Sequence, residues 1–345
     1  MKLRKRMLRI IIPLVAIIST SVFTPWGIVR IMLEPLPDTV QEQVNEAIDR
    51  GMDGIIVYVD QSGQEPALYS AGWMNRENQE PADPHALFKI ASISKLYVAA
   101  ATTKLVNSQR LSLDDNLADI LPQLKERIEY ADQITLRMLL QHRSGIPDWI
   151  DDPDFPWDEP PRDASKVLEL VLDDPADFKP DKRNDYSNTN YLLIGQILDK
   201  TLGYSHRQYI KEEILIPLGL THTFGLFSDV DPGEVMSGYD THYDGDVKML
   251  DFVSPSGAMV ATAQDVGIFL RALNDGSLLN EDEQKIYSSV YKYEHTGLLP
   301  GYQSIARYHK DIDTVVIQFV NTSGENNWAI SESIYKRIVR ILRRQ

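Results

Sequence analysis

The sequence predicts a mixed α/β fold of the α+β kind: an antiparallel sheet built from both ends of the chain and flanked by helices, beside an all-helical subdomain at about residues 111–235. Three observations predict it. Short runs rich in β-branched and aromatic residues occur near the N-terminus, at Gly54–Tyr58 and Ala67–Trp73. Similar runs return near the C-terminus, at Tyr302–Tyr308 and Thr314–Asn321. Between them, from Leu111 to about Leu226, the pattern is helical and punctuated by prolines.

Taken in order, Glu34–Pro37 is a short linker and Val40–Ile48 an amphipathic helix. Gln61–Pro66 turns the first strand into the second. Phe88–Val106 is apolar and alanine-rich and reads as one buried helix. The central block carries helices near 134–141, 164–172, 189–202 and 206–215. A strand-rich stretch is expected to resume near Tyr239, followed by a helix within Met259–Leu273. Lys310–Asp313 is the turn between the last two strands. Ile330, Ile334, Ile338, Ile341 and Leu342 repeat at helical spacing, so the C-terminal helix should lay an apolar face on the sheet and solvate its basic one. The active site is expected in the cleft between sheet and helical block.

Composition narrows the function. The net charge is −15, and because the first thirty residues carry six basic and no acidic side chains, the remainder stands at −21. Such a body repels phosphate backbones, which argues against nucleic acid as a partner. With no cysteine there are no disulfides and no thiolate nucleophiles or metal ligands. The histidines are scattered without metal-binding spacing, and Asp244-Gly245-Asp246 suits a hairpin turn better than a calcium loop. No metal or cofactor is therefore expected.

Five basic residues within the first nine precede Ile10–Val29, twenty residues without a charge. That length spans a bilayer, and the basic flank marks the cytoplasmic side. Residues 1–33 are expected to form a membrane signal-anchor, with a catalytic body at 34–345 outside the cytoplasm. Cleavage near Ser19 and Ser21 would release a secreted body instead.

Chemistry is first suggested by Ser92 and Lys95, a Ser-x-x-Lys pair whose members share one helical face. A serine hydroxyl needs a neighbouring base, and a lysine desolvated by burial can be that base. Two similar pairs, Ser289 with Lys292 and Ser333 with Lys336, lack the long apolar helix and read as ordinary surface residues. Tyr186-Ser187-Asn188 precedes a helix and, alone, is equally a loop and cap. His295-Thr296-Gly297, alone, reads as a turn before a strand.

In this order the three elements resemble the serine penicillin-recognising family, which includes class C β-lactamases, DD-peptidases and related esterases. Leu139–Ile146, Ile216–Leu220 and Ser256–Val260 with Thr262 and Asp265 are also similar to family segments. The resemblance runs from about Val40 to Leu342. It implies a β-lactamase/DD-peptidase-like fold and a serine hydrolase working through an acyl-enzyme on Ser92. Lys95 would exchange the serine's proton, and Tyr186 would act as general base or relay. Asn188 would bind the acyl-side amide, and the N–H groups of Ser92 and Leu298 would hold the oxyanion. Within the substrate-binding His295, Thr296 and Gly297, His295 would favour anions and lose them as pH rises through its pKa. His142 looks structural.

Two departures stand out: His295 replaces the motif's lysine, and Leu298 occupies a position that often carries a carboxylate-binding hydroxyl. The expected substrate is a small molecule or peptide, with D-amino-acid peptides or amides of the cell envelope, peptidoglycan fragments among them, as the leading class. An esterase or β-lactamase of the same fold, and a catalytically silent peptidoglycan-binding envelope protein, are the alternatives.

Overall fold

A computed structural model describes residues 30–344, Met32 excepted. The expected anchor helix at Ile10–Val29 lies outside the described residues. Among the described residues no helix is long and apolar enough to cross a membrane.

Helix α1 (Val40–Asp49) opens with a capping box, in which Thr39 accepts from the Glu42 N–H and Glu42 returns the bond. It leads into β1 (Gly54–Gln61) and β2 (Ala67–Asn75), an antiparallel hairpin edged by β3 (Glu80–Pro81). The chain's last strands complete the sheet. Counted in chain order after the short strands β4 (Phe88–Lys89), β5 (Thr223–Phe224), β6 (Tyr239–Asp240) and β7 (Val260–Ala261), which lie outside this sheet, these are β8 (His295–Leu299), β9 (Tyr302–His309) and β10 (Thr314–Val320), and the order is β3-β2-β1-β10-β9-β8. The two chain ends join where β1 pairs with β10, from Ile55 opposite Val320 to Gln61 opposite Thr314.

This sheet is covered on both faces. Ile55, Val57 and Val59 point into one apolar cluster with α1 and the C-terminal helix, while Ile56 and Tyr58 point into the main core. Double coverage explains why β1 reads as a continuous apolar run rather than an alternating one. The C-terminal helix (Asn327–Leu342) buries Ile334, Ile338, Ile341 and Leu342. Ser333, expected at the surface, is instead buried and donates back to the Ala329 carbonyl.

The stretch beginning at Phe88 departs from the single helix expected there. Phe88–Lys89 form a short strand, Ala91–Ile93 a 3-10 turn, and the long helix α2 starts at Ser94 and ends at Asn107. The turn is forced by Ala91, whose φ of 50° is left-handed and cannot continue either element. All three segments are buried, so hydropathy alone does not separate them.

The regular structure of residues 111–235 is mostly helix, with α3 (Leu117–Ile120), α4 (Leu136–Leu140), α5 (Ala164–Glu169), α6 (Asn188–Leu202) and α7 (His206–Ile210), but long irregular stretches join them and Thr223–Phe224 is a short strand, so the block is not all-helical as expected. Helix α6 packs on α2 and α4, which sets the start of α6 against the start of α2. The strand-rich stretch expected after Tyr239 is only Tyr239–Asp240, followed by irregular chain up to the two-residue strand Val260–Ala261. Helices α8 (Ala263–Asp275) and α9 (Glu281–Val290) then lead into β8.

Candidate active site

Ser92 sits in the 3-10 turn just before α2, and Lys95 lies one turn on, fully buried. The turn is held from behind: the Ile90 N–H donates to the Met259 carbonyl at 3.1 Å, and the Ser304 hydroxyl donates to the Ile90 carbonyl at 2.9 Å. Strand β8 lies against this turn. A Cβ on Gly297 would stand 2.5 Å from the Ile90 oxygen and 2.8 Å from the Ala91 Cβ, so this approach requires glycine.

Lys95 Nζ is 3.0 Å from Ser92 Oγ, 2.8 Å from Asn188 Oδ1 and 2.6 Å from the Ser256 carbonyl. Burial holds the lysine pKa well below its ordinary value; Asp148 opposes this and Lys292 adds to it. A neutral amine has two hydrogens and one lone pair. The Asn188 and Ser256 oxygens can only accept, so in the neutral form they would take both hydrogens and leave the lone pair for the Ser92 O–H, whereas the ammonium donates to Ser92 Oγ as well. The Tyr186 hydroxyl donates to Ser92 Oγ at 2.9 Å. The serine oxygen thus meets the lysine nitrogen on one side and a phenol on the other.

Tyr186 is 42% exposed overall, yet its hydroxyl faces Ser92. Burial of that end raises its pKa, against a smaller lowering by the bond to Ser92. This favours the phenol over the phenolate. Asn188 is buried, and its Nδ2 donates to Asp148 Oδ2 at 2.9 Å. One amide hydrogen therefore remains for a substrate. Asp148 fixes the amide so that Oδ1 meets Lys95, a role that sequence reading missed. An acid following Pro147 in otherwise apolar surroundings was the available signal.

His142 is buried with φ 55°, and its Nδ1 accepts the Ser187 N–H at 3.2 Å. Its ring lies 4.5 Å from that of Tyr186. It supports the tyrosine loop without touching Ser92.

His295 corrects an expectation. It is buried, and burial, with the Lys292 and Lys95 charges, holds its pKa well below that of free histidine. Its Nδ1–H donates to the Thr296 carbonyl at 2.5 Å, which leaves Nε2 to accept from the Tyr291 hydroxyl at 2.9 Å. Both nitrogens are used by the neutral ring. Burial thus disfavours the charged form that binding an anion through His295 would need. Lys292, read from sequence as a surface residue, is exposed and also lines this cleft.

Ser92, Tyr186, Asn188, His295, Thr296, Gly297 and Leu298 line one cavity of about 510 Å³, with Trp149, Phe252 and Trp328 among its apolar walls. Leu298 is 55% exposed at its rim. Among the described residues no cluster of His, Asp or Glu has metal-binding geometry.

Known proteins agree with this architecture. D-amino acid amidase from Ochrobactrum anthropi SV3, in complex with L-phenylalanine amide, superposes with a TM-score of 0.79 at 22% identity, over 88% of this chain and 97% of that one. A penicillin binding protein from Bacillus halodurans gives 0.73 at 22% identity, over 86% and 98%. By sequence, the protein PbpX of Bacillus subtilis (strain 168) is 26% identical over 331 residues, 89% of this chain and 80% of PbpX. Protein flp of Staphylococcus aureus (strain N315) is 28% identical over 194 residues, which are 54% of this chain and 39% of flp. The chain thus matches less than half the length of flp. The Beta-lactamase family model matches residues 36–292, most of the described chain, and the protein belongs to the β-lactamase family.

Proposed function

We propose that the protein is a serine hydrolase that cleaves D-amino-acid amides or peptides through an acyl-enzyme on Ser92. The observation that carries this reading is the buried Lys95, whose Nζ is held by the Asn188 and Ser256 oxygens 3.0 Å from the serine oxygen. A binding protein needs no such arrangement, because a desolvated lysine facing a serine costs stability and gains nothing in affinity.

In acylation, Ser92 Oγ bonds to the substrate carbonyl carbon while its proton passes to Lys95. The carbon–nitrogen bond then breaks, and the proton is delivered to the leaving nitrogen through the Tyr186 phenol. The N–H groups of Ser92 and Leu298 are the proposed oxyanion donors, each worth about 10²–10³ in rate. In deacylation, water adds to the acyl carbon and gives a proton to the Lys95–Tyr186 pair. The Ser92 oxygen leaves and regains its hydrogen.

The apolar walls of the 510 Å³ cavity suit an aromatic or aliphatic acyl side chain. The Ochrobactrum amidase, whose fold this chain shares, supports D-amino-acid amides as the class to test first. An apolar acyl ester is the second reading, favoured by Leu298 at the rim in place of a hydroxyl. The basic flank and apolar Ile10–Val29 support placement of this activity at the outer face of a membrane.

Hydrolysis of D- and L-phenylalanine amides and of phenyl esters, with Ser92→Ala as control, tests the proposal. Turnover of the D-amide that is lost in Ser92→Ala is expected. Turnover that persists in Ser92→Ala would remove the acyl-enzyme.

A further inference from the structure

A second cavity, of about 740 Å³, lies on the other side of one wall of the catalytic cavity. That wall is the strip from Phe252 to Met259. Phe252, Ser254, Ser256 and Gly257 line the catalytic cavity, whereas Pro255, Ala258 and Met259 line the second. The same strip holds the catalytic groups in place. The Ser256 carbonyl accepts from Lys95 at 2.6 Å, and the Met259 carbonyl accepts the Ile90 N–H at 3.1 Å. Anything packed on the far face of the strip therefore bears on the lysine and on the nucleophile turn.

The second cavity has two kinds of lining. Leu215, Leu220 and Phe224 supply apolar wall, and Ile216, 64% exposed, stands at the rim. Arg207 on α7 is the charged part, with Lys211 one turn on. Among the described residues the Arg207 guanidinium makes one hydrogen bond, from Nη2 to the Val253 carbonyl at 2.9 Å, and no carboxylate is bonded to it. Burial lowers its pKa, although the charges of Asp199, Asp229 and Asp251 oppose this. Asp199 is engaged by His206, and Asp229, also in the lining, accepts the Leu226 N–H at 3.0 Å. The arginine stem lies close over Gly225, where a Cβ would stand 2.9 Å from Arg207 Cδ. From Lys211 to Leu215 the chain continues as a π-helical turn, a geometry frequent at functional sites.

We infer that this cavity is an effector site for an amphipathic monocarboxylate of the medium-chain fatty acid class, its carboxylate on Arg207 and its chain on Pro255, Ala258 and Met259. A volume of about 740 Å³ is within the range of small-molecule sites. An apolar chain alone would leave the guanidinium without a counter-charge, and a small anion alone would leave the apolar wall unfilled. Packing on the strip favours the arrangement in which the Ser256 carbonyl holds Lys95, so occupancy raises the reactivity of Ser92. The binding does not depend on the acyl-enzyme reading; the rise in reactivity rests on it.

The test uses octanoate and 1-octanol as probes, with the full chain and the variants Arg207→Met and Ile216→Glu. Calorimetry measures binding, and the rate of fluorophosphonate labelling measures Ser92 reactivity. Octanoate should bind about ten- to a hundredfold more tightly than 1-octanol, and Arg207→Met should remove that advantage. Ile216→Glu, at an exposed position that does not threaten the fold, should weaken octanoate and leave 1-octanol within about twofold. Saturating octanoate should speed Ser92 labelling about fivefold. Equal binding of the two probes, octanoate binding that survives in both variants, or unchanged labelling would overturn the assignment. Slower labelling, by competition, would place the octanoate in the catalytic cavity and overturn it too. If Ser92 is never labelled while octanoate binding still depends on Arg207, the acyl-enzyme and the effector role fail and the binding site stands.

Discussion

Lys95 Nζ and Ser92 Oγ are 3.0 Å apart at the base of a cleft where the lysine has no contact with water. The pair is one helical turn apart in sequence, but its chemistry depends on distant groups. Asn188 and the Ser256 carbonyl occupy the lysine's two hydrogens, and Asp148 orients Asn188. Burial lowers the ammonium's pKa, and in the neutral form the acceptor pattern would aim the lone pair at Ser92.

Lys95→Met, which is close in shape and has no lone pair on nitrogen, should lower kcat by about 10²–10⁴, and Lys95→Arg should do the same because its charge is permanent. The wild-type acid limb should report loss of activity as pH falls through the depressed Lys95 pKa. A kcat/KM that keeps rising up to the ordinary lysine value of 10.5 would show that the lysine rests protonated and would contradict this assignment.

Tyr186→Phe keeps the ring that packs 4.5 Å from His142 and removes only the hydroxyl. Activity should fall by about 10²–10⁴ while the melting temperature changes little. Substrates with a good leaving group, such as nitrophenyl esters, should lose less, since their leaving oxygen needs no proton. An equal loss on amides and nitrophenyl esters would argue against the tyrosine as proton donor to the leaving group.

His142 predicts a pH window in stability. Burial, with the Lys95 and Lys292 charges, lowers its pKa to about 3 from 6.5 in the unfolded chain. The unfolded chain therefore binds the extra proton between these values. Its contribution is fully present above 6.5 and is lost as pH falls towards about 3, by at most about 1.4 kcal/mol per pH unit. Urea unfolding should show a shallower slope below pH 6.5 in His142→Asn, a residue that also tolerates the left-handed φ of 55°. Identical slopes in wild type and variant would remove this role.

Arg337 joins the two ends of the chain. It is buried in the C-terminal helix and donates to Gln43 at 2.5 Å, to the carbonyls of Ile31, Glu34 and Pro35 at 2.8–2.9 Å, and to Glu46 at 3.3 Å. Arg337→Met leaves these acceptors without their donor, and a loss of about 3–5 kcal/mol in urea unfolding is expected. Catalysis by the folded fraction should be unchanged. A variant within about 0.5 kcal/mol of wild type would show that water replaces the arginine.

The sequence made four of the sheet's six strands and the Ser92–Lys95 pair legible for the same reason: both are local patterns, whereas Glu80–Pro81 is only two residues long and His295–Gly297 reads as a turn but is strand. The β-branched runs at both chain ends and the Ser92–Lys95 spacing can be seen without knowing what packs where. The break at Ala91 could not be seen, because strand, turn and helix there are equally buried and the left-handed φ falls on an alanine. Helix α9 was missed despite a visible signal, the Asn280 cap with Glu283 three residues on. The charge states were illegible in a deeper sense. His295 looked like a cation, and only the fold shows that it is enclosed by tyrosine and backbone oxygen, while Lys292, exposed as expected, also borders the cleft.

The central claim is that Ser92 is the nucleophile and Lys95 its base. Intact mass and peptide mapping after brief exposure to a fluorophosphonate, across wild type, Ser92→Ala and Lys95→Met, test it most directly. A single adduct on Ser92 in wild type, none in Ser92→Ala and a much slower one in Lys95→Met are predicted. Labelling of a different serine, or labelling at an equal rate in Lys95→Met, would contradict it.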